Sequence, residues 1–100
     1  MIDAPTTLCL RTVLAALQTR DLLPLVEQIC HQRGVTLPEV CSRARTQNVA
    51  RTRQEIWWRI RHLPDRHYSY AEIGSLFGRD HSTIKSAADA FQRRSANRPP

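Results

Sequence analysis

Apolar positions recur at helical spacing from one end of the chain to the other, and no stretch alternates as a half-buried strand does. Leu10, Val13, Leu14 and Leu17 follow the i, i+3, i+4, i+7 pattern of a first helix. Asp21 stands where an N-cap belongs, with Pro24 in the first turn of a second helix. Leu22, Leu25, Val26, Ile29 and Cys30 line one face of that helix, and Gly34 stops it. Thr36-Leu37-Pro38-Glu39 is a capping box opening a short helix that ends near Cys41 or Ser42. After the connector Ser42-Arg43-Ala44-Arg45-Thr46, the pattern predicts the longest helix over residues 47–63, with Val49, Ile56, Trp57, Ile60 and Leu63 toward the core. Pro64-Asp65-Arg66-His67 reads as a loop. Ser69-Tyr70-Ala71-Glu72 is a second capping box, starting a helix that carries Ile73, Leu76 and Phe77. The last helix is predicted over residues 80–94, burying Ile84, Ala87, Ala88 and Phe91. Trp58 lies about 100° around its helix from the core-facing Trp57, so it is expected to be partly exposed or to anchor the N-terminal helix. The predicted fold is all-α, about five to six helices in one domain.

Length and composition narrow this further. One hundred residues can bury a modest core without disulfides or a structural metal. Cys9, Cys30 and Cys41 are odd in number and irregularly spaced, with no CxxC pair, so they are expected to be small buried side chains in a reducing compartment. The N-terminus has neither a basic region nor an apolar run, and no apolar stretch approaches the roughly 20 residues that span a bilayer. The protein is therefore expected to be soluble and cytoplasmic, with no membrane partner.

Charge is unevenly spread. Residues 1–42 hold three arginines against four carboxylates, whereas residues 43–100 hold twelve basic side chains against five acidic ones. Fourteen of the fifteen bases are arginine, the residue best suited to bidentate phosphate and guanine contacts. A polyanion partner for the second half follows, with nucleoid association as its cellular counterpart.

Within that basic half, residues 70–85 read as a helix, a glycine turn and a second helix. Gly74 is small enough for close helix approach, and Gly78 can take the positive φ that ends one helix before the next. Asp80 or Ser82 can cap the following helix, whose tip can enter a major groove. Arg79 is placed for phosphate. His81 and Ser82 can donate to base acceptors or touch a thymine methyl, and Asp80 can accept from a cytosine amino group. Thr83 and Lys85 follow as expected near-backbone contacts. The bland alternative is an ordinary capped corner between two helices. A second basic cluster precedes it. Arginines on a connector, Arg43 and Arg45, can reach into a minor groove, while those in the first turns of the next helix, Arg51 and Arg53, can meet phosphates. A solvated basic stretch is the alternative there.

These two clusters together resemble the C-terminal DNA-binding domain of DnaA, the bacterial chromosomal replication initiator. The resemblance is carried by Val49-Ala50-Arg51-Thr52-Arg53-Gln54 and by Glu72-Ile73-Gly74-x-x-Phe77-Gly78-Arg79-Asp80-His81-Ser82-Thr83-Ile84, and covers roughly residues 25–94. It implies a helix-turn-helix domain reading a short duplex element. Asp80, His81 and Ser82 would meet bases in the major groove, Arg45 would enter the minor groove, and Arg53 and Arg79 would contact DNA at or near the backbone. Tyr70 and Ala71 match positions that also approach DNA. Only one glycine precedes the Arg-Asp-His run where the family usually has two. The loop around Arg66 and His67 is longer than usual. No GxxxxGK[ST] occurs, so an ATPase portion is not expected.

The organisation expected is an extra N-terminal helix over residues 1–24, packed on or extending a DNA-binding domain of residues 25–94, and a disordered tail over 95–100. Neither catalytic residues, metal site nor cofactor is expected: no Ser or Cys has an evident base, and neighbours such as Asp80 and His81 do not face each other on a helix. The function expected is sequence-specific binding of double-stranded DNA, regulating transcription or replication as a monomer or homodimer. The alternative is an interaction module that binds the replication initiator or polymerase as adaptor or antagonist, docking through the N-terminal helix; replication or transcription proteins are the further partners considered.

Overall fold

Helix boundaries in this chain are set by short local signals, and the exception is instructive. The computed structural model describes residues 4–96, with side chains from Leu10 onward. Six helices lie among the described residues, and no strand: α1 (Ala4–Thr19), α2 (Leu23–Arg33), α3 (Leu37–Cys41), α4 (Gln47–Arg61), α5 (Tyr70–Phe77) and α6 (His81–Ala96). Both capping boxes form. At α3, Thr36 Oγ1 accepts from the Glu39 amide at 3.3 Å while the Thr36 amide donates to Glu39 Oε1 at 2.9 Å. At α5, Ser69 and Glu72 exchange the same pair of bonds at 3.1 and 2.8 Å. Thr46, not singled out from sequence, caps α4 by accepting from the Val49 amide. Gly34 ends α2 in the left-handed region at φ 66°, with the Val35 amide reaching back to the Cys30 carbonyl at 2.9 Å.

Asp21 is the correction. It does not cap α2; the capping position is held by Leu22, which offers no side-chain acceptor. Asp21 instead closes α1 in the left-handed region, at φ 57°. Its amide donates to the Gln18 carbonyl at 3.2 Å, and the Leu22 amide to the Leu17 carbonyl at 2.8 Å. This is the bond pair that normally accompanies a C-terminal glycine. The reason is packing: Leu22 is 1% exposed. Burying it demands a tight reversal right after α1, and aspartate is one of the few side chains that tolerate positive φ there.

The core gathers from every helix: Val13 and Leu17 from α1, Val26 and Ile29 from α2, Val40 from α3, Ile56, Trp57 and Ile60 from α4, Ile73 and Phe77 from α5, and Ile84 and Ala88 from α6. Leu63 and Ala87, expected in the core, are half-buried at its margin, and Phe91, also expected there, is half-buried against Trp58. α1 packs against α2, α3 and α5. Trp58 does not anchor that helix. It stacks on His62 (4.3 Å between centroids) and meets Phe91 at a tilt of 47° (5.2 Å), and its Nε1 donates to Gln92 Oε1 at 2.6 Å, so it ties α4 to α6. α1 and α6, at 16 residues each, are longer than the 15-residue α4. α6 continues through Ser95 and Ala96; residues 97–100 of the expected tail lie outside the described residues, as does the side chain of Cys9. Cys30 and Cys41 are buried thiols, and burial, reinforced by the charges of Glu27 and Glu39, pushes the Cys30 thiol up to about 11.

Glu55 was not legible in sequence as a buried residue. Its carboxylate sits against the core and takes Nε hydrogen bonds from Arg33 (2.6 Å) and Arg59 (2.7 Å), bracing α2 against α4. Arg59, one of the basic side chains of the second half, is thus engaged internally.

Candidate nucleic-acid interface

α5 and α6 are joined by three residues, Gly78, Arg79 and Asp80. Gly78 takes φ 68°, and the Arg79 amide donates back to the Gly74 carbonyl at 2.8 Å. This folds the turn onto α5. A Cβ at Gly74 would lie 2.4 Å from the Arg79 carbonyl oxygen and 3.5 Å from the His81 nitrogen, so the corner closes only because position 74 has no side chain.

Asp80 precedes α6 and serves as its cap, one residue before the helix rather than its first member. The Ser82 amide donates to Asp80 Oδ2 at 3.2 Å, and the Ser82 hydroxyl donates to the same oxygen. Hydrogen bonds from the Ser82 hydroxyl and then its amide hold the Asp80 carboxyl below the usual aspartate range. His81, Ser82 and Thr83 fill the exposed first turn. His81 Nδ1 is 3.8 Å from Asp80 Oδ1, too far for a hydrogen bond, and both side chains are about two-thirds exposed (68% and 65%). Lys85 is exposed and pairs with Asp89 one turn on, at 2.9 Å. Ala71 is exposed, and Tyr70 is half-buried beneath the Arg61 guanidinium, 4.9 Å from the ring centroid.

The basic connector lies against this corner. Arg79 Nη2 donates to the Ser42 carbonyl at 3.0 Å, bonding the turn before α6 to the start of the segment carrying Arg43 and Arg45. Arg43, Arg45 and Arg51 are exposed. Arg53 is not. Its guanidinium turns inward and donates to the carbonyls of Val40 (2.8 Å), Ala44 (2.8 Å), Ser42 (2.6 Å) and Glu39 (3.2 Å). Burial, and then the nearby charge of Arg79, lower its pKa, although an arginine remains charged throughout the biological range. The Arg53 guanidinium is thus engaged with carbonyls of the protein itself. The carbonyls left open at the end of α3 and in the connector need donors, and Arg53 supplies them. No sequence pattern announces this, because the bonds join residues 9 to 14 positions apart across a bend.

Arg43, Arg45, Arg51, Ala71, Asp80, His81, Ser82, Thr83 and Lys85 are exposed, whereas Arg53, Tyr70 and Arg79 are half-buried, and Arg79 bonds the corner to the connector. Among the described residues, no group of three His, Cys, Asp or Glu side chains gathers as a metal site requires, and no helix is long and apolar enough to cross a membrane.

Comparison with known proteins points to one family. The family model described as the bacterial DnaA protein helix-turn-helix matches residues 24–90. Chromosomal replication initiator proteins DnaA from Thermoanaerobacter sp. (strain X514), Thermoanaerobacter pseudethanolicus and Caldanaerobacter subterraneus subsp. tengcongensis are each 38% identical over 58 residues. That stretch is 58% of this chain but only 13% of each initiator. No solved structure matches significantly.

Proposed function

This chain belongs to the bacterial DnaA helix-turn-helix family, and from that membership we propose that it binds double-stranded DNA and reads its sequence with the tip of α6. The observation that carries the reading is the exposed turn His81-Ser82-Thr83 at the N-terminus of a 16-residue helix, bonded through Arg79 to an arginine-bearing connector. Positive potential and helix-tip donors then meet on one surface, as duplex recognition requires.

The roles divide by groove. His81, Ser82 and Asp80 read bases in the major groove; Asp80 retains Oδ1 as an acceptor because only Oδ2 is bonded to Ser82. Arg45 enters the adjacent minor groove. Arg43, Arg51, Arg79, Thr83, Lys85, Tyr70 and Ala71 lie at or near the backbone. With no phosphate-binding loop in these residues, the domain acts by occupying a site, regulating transcription or replication without catalysis. A role as an adaptor for replication proteins has less behind it, because Val13 and Leu17 of the proposed docking helix face the core.

The test is selection of bound sites from a random duplex library, followed by salt titration. Arg45→Ala and Arg51→Ala should weaken binding to selected and random duplexes alike, each lowering the salt slope by about one. His81→Ala and Ser82→Ala should relax preference at particular base pairs, by roughly 1–3 kcal/mol each. If all four act equally on selected and random DNA, the base-reading assignment is wrong. A single half-site in the selected pool indicates a monomer, and an inverted pair about one helical turn apart indicates a dimer.

A further inference from the structure

The densest set of side-chain hydrogen bonds at the candidate interface belongs to a residue that faces away from it. Arg53 rises from α4 and reaches the last turn of α3 and the connector, where Nε, Nη1 and Nη2 donate to four carbonyls between 2.6 and 3.2 Å. A guanidinium has five N–H groups, so one is left. Phosphate is best gripped by two parallel N–H groups, and Arg53 could offer that fork only by releasing the connector. Around the same point, the Ser42 hydroxyl donates to the Glu39 carbonyl at 2.7 Å, and the Ala44 amide donates to Ser42 Oγ at 3.0 Å. The Ser42 carbonyl itself accepts from both Arg53 and Arg79.

We propose that Arg53 is a positioning residue: it fixes the path of residues 42–46, and so where Arg43 and Arg45 reach, while Arg79 locks that path to the turn that opens α6. The inference rests on the DNA-binding reading above and adds to it a mechanical link between the two groove-facing elements. Loop arginines held this way lose less freedom on binding than arginines on a mobile connector. Lysine cannot substitute, because one ammonium donates from a single atom and cannot span four carbonyls.

The test is a double-mutant cycle with R53K, R45A and R53K/R45A on a labelled duplex recovered by selection, at a temperature where circular dichroism shows all three folded. R53K should weaken binding about tenfold, in line with misplacing one minor-groove arginine. In the R45A background, R53K should cost much less than in the wild type, only what the displacement of Arg43 adds. An additive loss, with the slope falling by about one in both backgrounds, would identify a direct phosphate ligand and overturn the proposal. So would wild-type affinity in R53K. R53Q takes its place in the cycle if R53K does not fold. Backbone NMR relaxation on the DNA-free proteins reads the clamp by itself: order parameters over residues 43–46 should fall toward about 0.6 in R53K while α4 and α6 keep theirs. Unchanged order there overturns the clamp. If the wild-type protein binds neither selected nor random duplex, the DNA reading fails, and relaxation still decides whether Arg53 orders the connector.

Discussion

Three single positions carry unusual demands. Position 74 has no room for a methyl group, because the contact it would make is with backbone and not with a side chain that can swing away. Gly74→Ala should therefore cost about 1–3 kcal/mol, the range for overpacking, measured as a drop in denaturation midpoint. Gly78 has open space around it but a positive φ, so Gly78→Ala should cost roughly 1–2 kcal/mol for a different reason, the left-handed backbone alone. At position 21 the sign reverses. Asp21 already occupies the left-handed region, and Asp21→Gly should raise stability by up to about 1 kcal/mol in the same denaturation assay. A decrease would mean that the carboxylate contributes something beyond the turn. Gly74 and Gly78 were legible from sequence because both stand beside a recognisable helix start. Asp21 was misread because aspartate serves at either end of a helix, and only the burial of Leu22 selects between them.

At the scale of elements, the caps decide where helices begin, and the tip of α6 depends on one of them. Ser69→Ala removes the acceptor for the Glu72 amide and should cost about 1 kcal/mol, without touching the α6 tip. Asp80→Ala removes the acceptor that orders Ser82, so its main effect should be on DNA sequence preference, with a smaller loss of stability. The Asp80 carboxyl is depressed, so its contribution is present in full above the ordinary aspartate pKa and disappears as pH falls through the lower folded value. Helical spacing and capping boxes predicted these elements well because both are interactions within a few residues. Trp58 shows the limit: periodicity put it off the core stripe, but its partners, Phe91 and Gln92, lie on another helix.

At the scale of the molecule, two features hold the helices in one body. Leu17 is fully buried and lies outside the stretch that matches the family model, yet Leu17→Ala should cost about 2–5 kcal/mol if α1 completes the core. A loss below 1 kcal/mol would mark α1 as a dispensable attachment. Glu55 braces α2 against α4 through Arg33 and Arg59. Burial pushes its carboxyl up, but hydrogen bonds from Arg59 and Arg33 outweigh burial and bring it below the usual glutamate range. Glu55→Ala should cost about 2 kcal/mol, since both arginines are partly open to water. The sign of the pH effect follows. This stabilisation is complete above the unfolded glutamate pKa of about 4.3 and drains away as pH falls through the depressed folded value. A wild-type protein whose stability is flat from pH 5 to pH 2 would contradict it.

Sequence alone determined which segments are helices, where most begin and end, and which short run forms the tip of α6, because these depend on neighbours within one or two turns. It also showed the excess of arginine in the second half. What it did not determine is which arginines face outward. Arg45 and Arg53 look alike in the chain, but one is exposed and the other spends its donors on four carbonyls. That difference is set by where α3, the connector and α4 come to rest, and a guanidinium goes wherever unpaired carbonyls leave it the most partners.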